Sequence, residues 1–154
     1  MLAERLRLNA NRTVACLLPV EALSNTWWPA KAVSHDIEQL LALWLNSSIG
    51  ILSLLSIRTM TEGPWVELRK PSLSSLPVPN FGKLKKRQRE SLLDLYDRVS
   101  RETLLPISEM ADDPVRAKID RGIAAAFELP SLDPLRSAIG REPTVCGKPL
   151  YADK

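Results

Sequence analysis

The side chains best placed for chemistry sit in and after one short stretch, Arg58, Thr59, Thr61 and Glu62. An arginine guanidinium can fork onto a guanine edge or grip a phosphate, and a threonine can bond a phosphate or touch a thymine methyl. Trp65 follows Gly63-Pro64 and offers a ring that can fill a core or lie against a base or sugar. Lys70 comes next, beside Arg69, and Lys85 and Lys86 head a basic cluster completed by Arg87 and Arg89. These groups suit contact with nucleic acid rather than bond-making. Each also has a plainer role. The 58–62 link reads equally as a solvated polar loop. The Lys85/Lys86 cluster reads as a solvated helix face, because Glu90, Asp94 and Asp97 partly balance it.

Catalysis finds little support. His35 is the sole histidine, at the start of an expected helix, so a histidine-centred triad or zinc site would rest on that one residue. Cys16 and Cys146 are far apart, with no metal or redox spacing. Asp112-Asp113, Glu62 and Glu67 have simpler roles as caps or solvated charges. No phosphate loop occurs. The formal charge of +3, with a pI near 9.0, permits nucleic-acid contact without requiring it. The first eight residues are charged and carry no apolar segment, so a reducing cytoplasm with free thiols is expected.

The elements that must position these residues are short, because 12 prolines interrupt the chain. Residues 5–9 alternate charged and apolar side chains, as a strand or helix end would. Residues 13–18 read as a buried strand stopped by Pro19, and 27–33 as an extended edge piece containing Pro29. Ser34 or Asp36 can cap a helix that is apolar round most of its circumference, with Leu40, Leu41, Leu43, Trp44 and Leu45. Asn46-Ser47-Ser48 predicts a break, and Gly50 a bend or close approach in the helix that resumes. A turn at 62–64, a strand at 65–69 and a helical turn at 73–76 follow. Beyond residue 82 the expectation is helical: 83–103, with a Leu92/Tyr96/Val99 stripe that includes Leu84, Gln88 and Leu95; then Asp113-Pro114 opening a helix through Phe127; then Asp133-Pro134 opening one that Gly140 ends. Residues 141–154 read as an irregular tail. The fold class expected is α+β: a small mixed region, 1–82, followed by a helical region, 83–154.

The order of these phrases resembles the end of the target-recognition region of adenine-N6 DNA methyltransferases of restriction-modification and phage-defence systems. The stretch 40–80 carries Leu45-Asn46-Ser47 with Gly50 shortly after, a strand at Trp65 and a Leu73-x-x-Leu76-Pro77-Val78-Pro79 exit. Leu23-Ser24-Asn25 before Trp27-Trp28-Pro29, Arg116-x-x-Ile119-Asp120 and Arg141-Glu142-Pro143 extend the likeness over most of the chain. The resemblance implies a specificity portion that positions duplex DNA. S-adenosylmethionine and the reaction would belong to a catalytic methyltransferase domain or subunit outside this chain. A glycine-rich cofactor turn and an Asn/Asp-Pro-Pro-aromatic loop are needed for that reaction, and the sequence contains neither Gly-x-Gly nor Pro-Pro. The chain is therefore expected not to be an enzyme by itself. It would be a fragment, a truncated reading frame or a separate recognition subunit. The DNA-binding residues expected are Arg58, Thr59, Thr61, Trp65, Lys70, Lys85 and Lys86.

Two rival readings stand beside this one. Residues 39–57 carry no charge over about the length of a membrane span, but Asn46-Ser47-Ser48 would lie near the bilayer midplane, so a buried helix pair is expected and no membrane partner. Helix 83–103 could instead serve a protein–protein module, by self-association or by docking on a methyltransferase or restriction subunit, with a core helix as the alternative use of the same stripe.

Overall fold

A computed structural model of the chain describes residues 1–20, 22, 24–60 and 65–146. Its architecture is α+β. Two small antiparallel sheets share one core with a set of packed helices. Strand β1 (Leu2–Ala3) pairs with β3 (Trp27–Trp28). Strand β2 (Arg5–Arg7) and β4 (Thr59–Met60) flank the central β5 (Trp65–Glu67). The helices are α1 (His35–Asn46), α2 (Ser48–Ser56), the short α3 (Lys70–Leu73), α4 (Lys86–Val99), α5 (Pro114–Ala126), α6 (Asp133–Arg141) and α7 (Pro143–Cys146).

The break between α1 and α2 is built by Ser47. Its extended backbone ends α1, and its N–H and hydroxyl both donate to the Trp44 carbonyl, at 3.0 and 2.6 Å. The same hydroxyl accepts from the Gly50 N–H at 3.2 Å and so caps α2. Such a cap is worth about 1 kcal/mol. The two helices meet at 79°. Gly50 has no room for a side chain, since a Cβ there would lie 2.0 Å from the Trp44 carbonyl oxygen. Among the described residues no single helix is long and apolar enough to cross a membrane. The bent α1–α2 pair passes by length and composition alone, and its Leu40, Leu43, Trp44, Ile51 and Leu54 are buried in the protein's own core.

Asn46 replaces part of the strand expected at 13–18. Only Ala15 there makes a β-bridge, to Leu2. The Asn46 side-chain oxygen accepts from the Val14 N–H at 2.9 Å, and its amide donates to the carbonyls of Ala15 at 2.7 Å and Ala42 at 2.9 Å. Buried backbone groups must find partners; here a side-chain amide supplies what a neighbouring strand would have supplied.

Residue 82 marks a change of sequence character but not a gap between cores. Leu6, Val66, Leu40 and Leu43 share one apolar cluster with Leu92, Leu95, Ile119 and Ile123. Buried polar links cross the same point. Arg116, fully buried, donates to the carbonyl of Asn46 at 2.6 Å and to that of Arg12 at 3.0 Å. Burial lowers its pKa, against the raising influence of Asp113 and Asp120. Asp120, also buried, accepts from the Ser48 N–H at 2.8 Å, from its hydroxyl at 2.6 Å and from Arg136 at 3.1 Å.

Other expectations shift by a few residues. The helical turn expected at 73–76 lies at Lys70–Leu73, with Pro71 in its first turn, where the missing N–H is harmless. Helix α4 starts at Lys86, and Gln88 reaches back to accept from the Lys85 N–H at 2.8 Å rather than joining the apolar stripe. Asp113 caps α5 as expected, accepting from the N–H groups of Val115 and Arg116. Gly140 lies inside α6 rather than ending it. A Cβ there would stand 2.8 Å from the Ala111 nitrogen, so the glycine allows a close approach. Part of the expected tail is helix α7, whose Val145 is buried. The turn expected at 62–64 and the tail from 147 onward lie outside the described residues.

Candidate nucleic-acid interface

The β2–β5–β4 sheet has one buried face and one open face. Antiparallel register places Leu6 opposite Val66, and both are buried. The side chains one residue away on either side must then point outward. Arg7 stands opposite Trp65, Arg5 opposite Glu67, and Thr59 opposite Glu67 from the other edge. The open face therefore carries Arg5, Arg7, Thr59, Trp65 and Glu67. Arg5, Arg7 and Trp65 are exposed, Trp65 by 50%.

Glu67 does not neutralise this face. Its carboxylate lies 3.7 Å from the Arg5 guanidinium and accepts from Arg69 at 3.3 Å. Two arginines, Arg5 and Arg69, thus share one carboxylate, and Arg7 stands across from Trp65. These pairs are solvent-exposed and worth little to stability. Beside the face, a groove of about 600 Å³ is lined by Arg5, Asn11, Thr26, Trp27, Trp65 and Glu67.

The residues expected from sequence divide three ways. Thr59 and Trp65 belong to the open face. Thr61 lies outside the described residues. Arg58 turns back, donating at 2.7 Å to the Leu55 carbonyl in the last turn of α2. A helix end leaves such carbonyls without partners, and the guanidinium fills that need. This nitrogen serves as a cap, on a residue that the sequence expectation gave to DNA binding.

The lysines also separate. The Lys70 ammonium sits 4.9 Å from the centre of the Trp28 ring, within reach of the ring's negative face. Trp28 itself donates to the Leu68 carbonyl at 2.9 Å and ties β3 to the end of β5. Lys85 and Lys86 are exposed at the start of α4, where Lys86 lies 3.8 Å from Glu90. That helix packs on α1 and α5, and Arg89 joins Asp36 at 3.0 Å. The cluster is a solvated helix start rather than part of the sheet face.

Sequence reading missed Arg5, Arg7 and Trp27. The alternation Arg5-Leu6-Arg7 was the available signal, since it places two cations on one side of a strand. What it could not show was the partner strand, 60 residues later, that sets Trp65 against Arg7. Asn46 and Ser47, which head the family-like phrase, are buried and occupied by backbone groups. They hold the helix break. His35 is exposed, 3.6 Å from Glu38, and Cys16 is a free thiol. Among the described residues no group of histidine, cysteine and acidic side chains has metal-site geometry. Comparison with protein-family models, with curated proteins and with solved structures finds no match to this chain.

Proposed function

We propose that this chain reads duplex DNA, as the specificity portion of an adenine-N6 DNA methyltransferase whose catalytic domain lies outside it. The observation that carries the reading is the open sheet face, where Arg5, Arg7, Thr59 and Trp65 stand in register with Arg69 alongside. A small antiparallel sheet can enter a groove or lie along a backbone. Its arginines offer forked donors to phosphate or guanine, and Thr59 offers a hydroxyl. The resemblance of the 40–80 stretch and its flanks to a target-recognition region supplies the enzyme class. A cytoplasmic setting accompanies that function. The interaction-module reading gains no comparable support, because Leu92, Leu95 and Val99 of the 83–103 stripe are buried in this chain's own core.

The test is fluorescence anisotropy of a labelled duplex titrated at stepped salt concentrations. Binding weakens steeply with salt, and removing one phosphate contact lowers the log–log slope by about 1. Arg7→Ala weakens binding and reduces the slope. Arg58→Ala leaves DNA affinity unchanged within about twofold while costing about 1 kcal/mol of stability as a lost cap. Binding that ignores salt, or none at low salt, overturns the proposal. A larger loss from Arg58→Ala than from Arg7→Ala overturns the assignment to the sheet face.

A further inference from the structure

We infer that the groove beside this sheet, bounded by Trp27 and Trp65, receives a single unpaired nucleobase. The inference rests on the DNA-reading proposal and adds a site and a ligand class to it. At about 600 Å³ the groove falls within the range of small-molecule sites, about 300–1,000 Å³. Its two walls differ. Trp27 is half-buried and packs against the core, which makes it a fixed surface. Trp65, on the central strand, is 50% exposed. Aromatic walls of this kind take flat rings by stacking, and every base has a face to stack.

The rim carries both kinds of polar partner that a base edge needs. The Asn11 side-chain oxygen accepts from the Arg7 N–H at 2.6 Å, which fixes the amide and leaves its nitrogen as a donor. Arg5 adds a charged donor, and the Glu67 carboxylate is an acceptor held in place by Arg5 and Arg69. An edge with both donors and acceptors is matched here, as a purely apolar ligand would not be. Arg7 stands directly across from Trp65, so a base stacked on Trp65 brings its own phosphate toward a guanidinium.

The ligand must be unpaired because stacking on a protein ring needs a base face that duplex neighbours already occupy. An extrahelical base on a duplex satisfies this, with the flanking duplex held by the arginines. A proline-rich segment also favours aromatic grooves. Arg5 in the groove lining, Arg7 opposite Trp65 and Arg69 on Glu67 favour a polyanion over such an uncharged peptide.

The full chain is titrated with three labelled DNAs of one sequence: a fully paired duplex, the duplex with one extra base bulged from one strand, and the same bulge with an abasic residue. The abasic bulge keeps the backbone distortion and removes the ring. The base bulge is expected to bind about tenfold tighter than the abasic bulge and to quench tryptophan fluorescence. Trp65→Ala brings the ratio of base-bulge to abasic-bulge affinity to about one, and Trp65→Phe restores most of the preference. Equal affinity for base and abasic bulges overturns the inference. If all three DNAs then bind with steep salt dependence, the DNA-reading proposal still stands. If none binds at low salt, both fall. Binding of a proline-rich peptide with the same quenching, and no preference for the base bulge, gives the groove to a peptide and likewise overturns the inference.

Discussion

Asp120→Asn removes one charge from the core without changing side-chain size, and the structure sets its cost. The carboxylate of Asp120 accepts three hydrogen bonds, from the Ser48 N–H at 2.8 Å, the Ser48 hydroxyl at 2.6 Å and Arg136 at 3.1 Å. The Ser48 N–H is one of the orphan donors at the start of α2, so the carboxylate also meets the positive end of that helix. An asparagine has one oxygen and one NH2 group. It can serve the Ser48 N–H or Arg136, and it turns donors toward the other. The Ser48 hydroxyl can rotate to accept, which softens one of the three losses. Hydrogen bonds to a charged group are worth about 1.5–3 kcal/mol each. Arg136 keeps Asp133 at 2.7 Å, so it is not left as an unpaired buried charge, whose cost would reach about 3–5 kcal/mol. The expected loss is therefore about 3 kcal/mol, read from urea unfolding at neutral pH followed by circular dichroism. Arg136→Met made alone and together with Asp120→Asn completes a double-mutant cycle, and the double variant should lose at least about 1 kcal/mol less than the sum of the singles. A loss under about 1 kcal/mol for Asp120→Asn, or additive losses in the cycle, would refute the view that this carboxylate binds α2, α5 and α6 into one body.

Gly50→Ala sets local propensity against packing. Alanine should strengthen an exposed helix by about 1 kcal/mol over glycine. At Gly50 the new Cβ meets the Trp44 carbonyl oxygen at 2.0 Å and the Leu45 Cα at 2.8 Å, both backbone atoms that cannot swing aside. The 79° junction must open, and the variant should be destabilised by about 2 kcal/mol or more in urea unfolding; a neutral or stabilising result would show that the junction yields freely. Acid stability should report on Asp133, whose pKa is lowered by hydrogen bonds from Arg136 and Ser131. Its carboxyl returns to the ordinary range on unfolding, so its contribution is present above about pH 4 and is lost as pH falls through the lowered folded value. Asp133→Asn should shrink the difference in urea midpoint between pH 6 and pH 3, and an unchanged difference would exclude this residue from the acid response.

Sequence alone determined the punctuation of this protein. Asp113-Pro114 caps α5 because a short carboxylate satisfies two orphan N–H groups, at 2.9 and 3.0 Å, and a proline has none to lose. Ser47 breaks the apolar run, and Trp65 starts a strand, because these are local preferences of a few residues. The stripe of α4 was visible too, though not whether it faces another chain or the inside of this one. The tertiary structure decided everything that depends on distant partners. Arg116 and Asp120 sit i and i+4 on one helix and look like a surface pair. Burial against Asn46 and Ser48, some 70 residues earlier, makes them the interior link of the fold. The same dependence separates Arg58 from the open sheet face on which the DNA-reading proposal rests. Arg58 has the chemistry and the sequence neighbours for a DNA contact, and the fold gives one of its nitrogens the Leu55 carbonyl at the end of α2. Arg5 and Arg7 looked like ordinary charges until β5 arrived between β2 and β4 and set Trp65 beside them. Caps and breaks are fixed by neighbours along the chain, whereas a binding face is fixed by which strands pair, and pairing is decided by the whole core.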